Sequence, residues 1–104
     1  MPQRSDNLYT EPKKKYVSFV DTSFVTGDSP VTLDLNTTLV RNAVDGYIVN
    51  DGAGDFTVNL SQNGTDFGND IRMKIGETFS LHALDVDSVK ITWISDSAYR
   101  VFAV

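Results

Sequence analysis

The chain has 104 residues, of which 40% are hydrophobic, and a formal net charge of −5. This length is typical of a single domain, and the apolar content is sufficient for a packed core. The sequence contains no cysteine, which excludes a disulfide framework, a zinc ribbon and a thiol nucleophile. Folding must therefore depend on apolar burial.

The charge is distributed unevenly along the chain. Residues 1–15 contain four basic and two acidic side chains, whereas residues 16–104 contain five basic and twelve acidic ones. Nucleic-acid binding requires Lys and Arg clustered on one face, so the acidic body argues against nucleic acid as the main partner. No apolar run approaches the roughly 20 residues that span a bilayer, and the N-terminus lacks the apolar stretch of a secretory signal. We expect a protein made in the cytoplasm, without a membrane partner.

The first 15 residues contain two prolines, few apolar side chains and no periodicity. Such a segment buries too little surface to offset chain entropy, so we predict an extended or disordered N-terminal arm. Two interpretations remain open, namely a frayed terminus and a tether that becomes ordered on a partner. In the second interpretation the binding residues of the arm are Leu8, Tyr9, Lys13, Lys14 and Lys15.

The following residues have the composition and spacing of β-strands. Residues 16–20 and 24–25 predict a first strand or a pair of strands, closed by a turn. Further strands are predicted at residues 31–36, 39–44 and 47–50. Short segments rich in Gly, Asn and Asp separate these strands, as is usual in antiparallel hairpins.

The clearest alternation of apolar and polar residues lies in the middle of the chain. Phe56, Val58 and Leu60 share one face of a strand, and their polar neighbours share the other, so one face is buried. A turn at residues 62–65 leads to the next predicted strand at residues 71–75. Three more strands are predicted, at residues 78–84, 89–94 and 98–104.

Seven to nine strands without an extended helical pattern predict an all-β fold. The expected architecture is an antiparallel β-sandwich, with a jelly-roll strand order as one option, formed by residues 16–104 and preceded by the arm 1–15. The predicted core consists of Phe19, Val31, Leu33, Leu35, Ile48, Phe56, Val58, Leu60, Ile71, Met73, Ile75, Phe79, Leu81, Val89, Ile91, Trp93, Tyr99 and Val101.

Candidate catalytic groups are few. His82 is the only histidine, and no Gly-x-Ser-x-Gly motif accompanies it, so the sequence does not indicate a nucleophilic triad. Asp51, Asp55, Asp66 and Asp70 lie in neighbouring turns where carboxylates could converge, but acidic residues are the default in hairpin turns. No calcium-binding loop motif is present. We expect no catalytic residue, no cofactor and no metal site.

Aromatic residues offer a possible contact surface instead. Trp93 alternates with Ile91 and is expected in the core. Phe67 lies in a loop and Phe102 is out of phase with Val101, so these two are candidates for an exposed contact surface.

Residues 46–77 contain three predicted strands separated by characteristic turns. The first turn is Asn50-Asp51-Gly52, the second is the segment from Ser61 to Phe67 with Asn63-Gly64-Thr65 inside it, and Gly76-Glu77 follows the third strand. Together with the segments 89–92 and 97–101, this pattern resembles small β-sandwich structural proteins of tailed-phage virions. The resemblance covers residues 46–104. It implies a non-enzymatic virion protein that decorates or cements the outer capsid, often as a trimer, or that joins fibres to the particle.

The first functional hypothesis is therefore a capsid decoration protein, located in the virion and homo-oligomeric, with a trimer favoured. Its partner would be the major capsid protein or another virion protein, bound through the arm and the sandwich edges. The alternative is a carbohydrate- or receptor-binding module of a tail or fibre, in which Phe67, Tyr47 and loop carboxylates form the contact surface.

Overall fold

The computed structural model describes residues 15–104, which form two four-stranded antiparallel sheets packed around one core. The strands are β1 (Val17–Phe24), β2 (Val31–Asp34), β3 (Gly46–Asn50), β4 (Phe56–Ser61), β5 (Ile71–Met73), β6 (Thr78–Ser80), β7 (Ser88–Trp93) and β8 (Ser97–Ala103). A 3₁₀ turn (Thr26–Asp28) and a one-turn helix, α1 (Asn36–Leu39), lie between strands. Within residues 15–104, no helix has the length and apolar character needed to cross a membrane.

The strands pair in a nested order. β4 pairs with β5, β3 with β6, β2 with β7 and β1 with β8. These pairs alternate between the two sheets, whose orders are β1-β8-β3-β6 and β2-β7-β4-β5. One long hairpin rolled into two layers gives this arrangement, which is the jelly-roll order. The predicted antiparallel sandwich is confirmed.

Strand β1 contains a bulge between Asp21 and Phe24. Asp21 lies opposite Tyr99 and Phe24 lies opposite Ser97, so β1 has one residue more than β8 over this stretch. The Asp21 carboxylate accepts a hydrogen bond of 2.9 Å from the Ser23 backbone N–H within the bulge. Because side chains alternate along a strand, the additional residue turns Phe24 into the core, where it is fully buried. Residues 16–25 therefore contain one bulged strand rather than two.

Three aromatic rings connect the two sheets at the centre of the core. Phe24 and Tyr99 belong to one sheet and Phe56 to the other. Their ring centroids lie 5.5 to 6.4 Å apart, and each pair of rings meets edge to face. This geometry is favourable for aromatic quadrupoles, so the trio stabilises sheet packing beyond the burial of apolar area.

Most of the predicted core is confirmed, and eleven of its residues are buried: Leu33, Leu35, Ile48, Phe56, Val58, Met73, Leu81, Val89, Ile91, Tyr99 and Val101. Six others are partly buried against them: Phe19, Val31, Leu60, Ile71, Phe79 and Trp93. The prediction for Ile75 is wrong, since its side chain is 62% exposed in the turn that follows β5. The prediction omitted six buried residues: Val17, Phe24, Leu39, Ala43, Val86 and Ala103.

The prediction of a strand at residues 39–44 is wrong. The chain forms α1 at residues 36–39 and then enters the left-handed region at Val40, where φ is 61°. The Asp34 carboxylate accepts hydrogen bonds from the Thr37 hydroxyl (2.6 Å) and the Thr37 N–H (3.0 Å), which lower the pKa of Asp34. Such local side-chain bonds compete with extended structure and favour a helical turn. Ala43 makes an isolated bridge with Val86.

The strand predicted at residues 78–84 is shorter than expected. β6 ends at Ser80, and the chain then turns with a hydrogen bond of 3.1 Å from the Leu84 N–H to the Leu81 carbonyl. Ala83 adopts φ 60°, which is incompatible with a strand. Leu81 is nevertheless fully buried, as its apolar character indicates.

A buried amide joins the two sheets at one end of the sandwich. Asn50, only 1% exposed, donates through Nδ2 to the carbonyls of Gly54 (2.8 Å) and Met73 (2.9 Å). Its Oδ1 accepts hydrogen bonds from the Gly52 N–H (3.0 Å) and the Ser97 hydroxyl (2.9 Å). The amide is therefore fully satisfied by groups on β5, β8 and the loop after β3.

We expect Asn50→Ala to lower the free energy of unfolding by about 3 kcal/mol, because it leaves buried donors and acceptors without partners. The exposed Asn69→Ala is the matched control and should change stability by less than about 0.5 kcal/mol. Urea unfolding of both variants measures the difference. Equal stability of the two would contradict a structural role for the Asn50 amide.

Alkaline pH should destabilise the fold through Tyr99. Burial, together with the nearby charges of Asp21 and Asp28, raises the pKa of the Tyr99 phenol. The unfolded chain then loses this proton at lower pH than the folded chain, so stability is retained below about pH 10 and falls above it. Tyr99→Phe should flatten this alkaline loss in urea unfolding measured from neutral pH upward. The more exposed Tyr47→Phe serves as the control, and equal alkaline slopes for the two variants would refute the assignment.

Candidate interaction surface

The structure describes only two of the predicted contact residues. Leu8, Tyr9, Lys13 and Lys14 lie outside the described residues. Lys15 is exposed and directly precedes Tyr16 at the start of β1, and Phe67 is partly buried in the loop between β4 and β5. The predicted role of the arm in binding stays a prediction.

The outer surface of the β1-β8-β3-β6 sheet carries a row of aromatic rings. The Tyr16 and Phe102 ring centroids lie 5.8 Å apart, and the Phe102 and Tyr47 centroids lie 5.6 Å apart, with planes inclined by about 25°. In the next row of this surface, Val20 and Val49 flank Arg100. We call Tyr16, Val20, Tyr47, Val49 and Phe102 the aromatic face.

Several side chains of the aromatic face are well exposed to solvent. Tyr16 is 63% exposed, Val20 61% and Tyr47 37%. Contiguous apolar groups on a surface are typical of contact sites, whereas single exposed apolar residues need no explanation. Phe102 lies between Tyr16 and Tyr47 and is partly exposed, and its predicted role in contact stays a prediction.

An ion pair lies within this surface. The Arg100 guanidinium donates from Nε and from an Nη, the latter at 3.3 Å, to the two carboxylate oxygens of Asp51. The hydrogen bond from Nε and the carboxylate charge raise the pKa of Arg100. Because both side chains remain well exposed, the pair mainly orients the two groups at the surface.

The outer surface of the other sheet is polar. One row across β2, β7 and β4 consists of Thr32, Lys90 and Asn59, and a second row consists of Thr92, Thr57 and Arg72. The two outward surfaces of the sandwich therefore differ in chemistry, and the apolar one lies on the sheet that contains β1. This difference selects the aromatic face as the stronger candidate for contact with another protein.

Phe67 belongs to a separate feature at the end of the polar sheet. A depression of about 360 Å³ is lined by Leu60, Gln62, Asn63, Asp66, Phe67 and Gly68. The Lys90 ammonium lies 4.9 Å from the Phe67 ring centroid, within cation–π range. The loop is held by Asn63, whose Oδ1 accepts hydrogen bonds from the N–H groups of Thr65 (2.9 Å) and Asp66 (2.8 Å).

The four turn carboxylates considered for chemistry bind four different partners. Their partners are Arg100 for Asp51, Arg72 for Asp55, Asn63 for Asp66 and Asn59 for Asp70. Within the described residues, no group of three or more His, Asp or Glu side chains is arranged to hold a metal ion. These carboxylates stabilise local turns and strand ends.

His82 lies in the turn after β6, where its side chain is 78% exposed. Its Nδ1 lies 3.5 Å from a carboxylate oxygen of Asp45. The sequence placed His82 within a strand, and this placement is wrong because β6 ends two residues earlier.

The structure separates two residues that the carbohydrate-binding alternative grouped together. Tyr47 lies on β3 in one sheet, whereas Phe67 bridges to Ser61 at the end of the other sheet. Tyr16 and Val20 belong to the aromatic face although the sequence pattern did not predict them as contact residues. Alternation along the strand could have identified them. Both residues have the opposite phase to Phe19, a predicted core residue, and therefore point outward.

Comparison with known proteins identified no relative. No protein-family model matches this chain, and no match was found among curated proteins or among solved structures.

Proposed function

We propose that this protein is a non-enzymatic structural component of a tailed-phage virion, a capsid decoration protein that binds the outer capsid surface. Its partner is the major capsid protein or another virion protein. The observation that carries the proposal is the aromatic face, which lies on one side of a jelly roll and begins at Tyr16, where the arm enters β1. The resemblance of residues 46–104 to virion β-sandwich proteins provides the biological setting.

The chemistry of the aromatic face suits protein contact. Tyr and Phe are large and have few rotatable bonds, so ordering them on a partner costs little conformational entropy. Stacking of Phe102 between Tyr16 and Tyr47 further restricts these rings before binding. Central aromatic side chains commonly contribute most of the binding energy of an interface.

The arm provides a second contact with the partner, and its net charge is opposite to that of the sandwich. Residues 1–15 are basic overall and residues 16–104 are acidic, so the arm is suited to an acidic patch on a neighbouring protein. Two linked contacts raise the apparent affinity, because the second forms at high effective concentration. The trimer implied by the resemblance stays a prediction.

Particle binding tests this proposal. Tyr47→Asp places a charge within the aromatic face, next to Phe102, and should weaken binding by about 2 kcal/mol, a roughly thirtyfold loss of affinity. Thr32→Asp introduces the same charge on the polar sheet and should bind as wild type. Deletion of residues 2–15 should leave the sandwich folded and abolish binding to particles that lack the native protein.

The copy number on the virion separates decoration from other roles. Hundreds of copies per particle are expected for a decoration protein, whereas a dozen or fewer would indicate a tail or vertex component and would contradict the proposal. Full occupancy by both Tyr47→Asp and the deletion variant would eliminate the aromatic face and the arm as attachment sites.

A second candidate function is carbohydrate or receptor binding at the depression beside Phe67. The observation that favours it is the combination of an aromatic ring with the amide and carboxylate groups of Gln62, Asn63 and Asp66 around a volume of about 360 Å³. Small-molecule sites commonly have a volume of about 300 to 1,000 Å³ and a few polar groups that orient the ligand.

Binding to a glycan array tests this second candidate function. Phe67→Ala should remove at least about nine-tenths of the signal, since an aromatic contact is worth about 1.5 kcal/mol. Phe102→Ala removes an aromatic ring from the opposite sheet and is the control. The candidate is eliminated if wild-type protein binds no glycan on the array.

A further inference from the structure

Strand β1 is an unusual edge strand in this sandwich. Each sheet has two edges, and the other three edge strands, β2, β5 and β6, have only three or four residues. β1 has eight residues and contains no lysine or proline. Short length, charged side chains, proline and bulges are the usual means of preventing edge pairing, because a free edge presents unpaired N–H and C=O groups. In β1 the charge, Asp21, and the bulge both lie beyond Val20, so residues 17–20 have none of these protections.

The bulge defines which part of this edge is regular. Residues from Val17 to Asp21 pair continuously with β8, and the register shifts only after Asp21. Tyr16 continues this alternation, since its ring stacks on Phe102 on the outer surface. We call residues 15–21 the edge segment, with the sequence Lys-Tyr-Val-Ser-Phe-Val-Asp.

We propose that the edge segment pairs antiparallel with the edge segment of a second copy of this chain, around a two-fold axis at Ser18. In this register Tyr16 lies opposite Val20 of the second copy, and Lys15 lies opposite Asp21. Val17 lies opposite Phe19. Each pair occurs twice because the contact is isologous. The result is a continuous eight-stranded sheet that spans two sandwiches.

Apolar complementarity supports this register. Tyr16 and Val20 are both more than 60% exposed and lie on the same outer surface. Pairing them across the two-fold axis covers the two most exposed side chains of the aromatic face with each other. Aromatic and β-branched residues form favourable cross-strand pairs.

Charge complementarity supports the same register independently. Lys15 is exposed and Asp21 is partly exposed at the opposite end of the segment. The two-fold axis at Ser18 brings these opposite charges together at both ends of the contact. A shift by one residue would oppose side chains that belong to different faces. A shift by two residues would place Lys15 opposite Phe19, or Val17 opposite Asp21, and lose the charge pairs.

This dimer does not rest on the proposed virion function, because it concerns the isolated chain, and it is an alternative to the trimer that the resemblance implies. The contact uses the free edge of β1, whereas Phe102 lies opposite Ser18 on the next strand, β8, and Tyr47 lies one strand further, on β3. Because antiparallel segments run in opposite directions, the arms of the two copies would leave the contact at opposite ends. Each dimer would therefore present two arms to a partner.

The molecular mass of the full chain in solution tests the dimer, measured by light scattering and sedimentation from micromolar to millimolar concentration. We expect a reversible dimer. Val20→Asp should weaken dimerisation by about tenfold. Both Tyr16–Val20 pairs lose their apolar contact, and two carboxylates of the same sign are placed in the interface. Ile75→Asp is the control, because the Ile75 side chain is 62% exposed and the Val20 side chain 61%, and Ile75 lies in a turn outside the contact. Ile75→Asp should dimerise as wild type.

A charge exchange tests the register. Lys15→Asp should weaken the dimer, since the introduced carboxylate lies opposite the carboxylate of Asp21, and the double variant Lys15→Asp with Asp21→Lys should restore the affinity. Asp21 also accepts a hydrogen bond from Ser23, so thermal unfolding is measured for the double variant. If that variant fails to fold, Lys15→Asp and Val20→Asp decide the test by themselves. A monomer or a trimer at all concentrations, or a dimer that neither single variant weakens, would overturn the proposal.

Discussion

The bulge in β1 determines both the packing of the core and the character of the surface. Beyond the bulge, Phe24 points inward and completes the edge-to-face trio with Phe56 and Tyr99, which joins the two sheets. Before the bulge, the strand remains regular and its even-numbered side chains point outward. Without the additional residue, Phe24 would lie on the outer surface, and the centre of the sandwich would lack its edge-to-face contact with Phe56 on the other sheet.

The buried amide of Asn50 fixes the end of the sandwich that supports the aromatic face. Its hydrogen bonds reach Met73 on the other sheet and Ser97 at the start of β8. Asp51 follows directly in the chain and pairs with Arg100 on β8. This exposed ion pair therefore lies directly beside a buried polar network whose hydrogen bonds are all formed, and leaving any of them unformed would be costly.

The two outward surfaces of the sandwich have different chemistry, although both are formed by the outward-pointing side chains that alternate with core residues along each strand. Threonines, Lys90 and Arg72 lie on one outer surface, whereas aromatic and valine side chains surround the Arg100–Asp51 pair on the other. This asymmetry gives a rigid body with one side suited to protein contact and one side suited to water. The depression beside Phe67 lies on the polar sheet, so the two candidate functions use different regions and are separable by mutation.

The sequence by itself determined the all-β class and most of the core, because period-two alternation such as Phe56, Val58 and Leu60 assigns strand faces locally. It did not reveal the helical turn after Asp34, which depends on side-chain hydrogen bonds to Thr37. Only the tertiary structure decided the strand order and the aromatic row. Pairing joins segments as distant as β1 and β8, and the row combines side chains from three separate parts of the chain. No local pattern contains that information, since it arises from the way the long hairpin rolls into two layers.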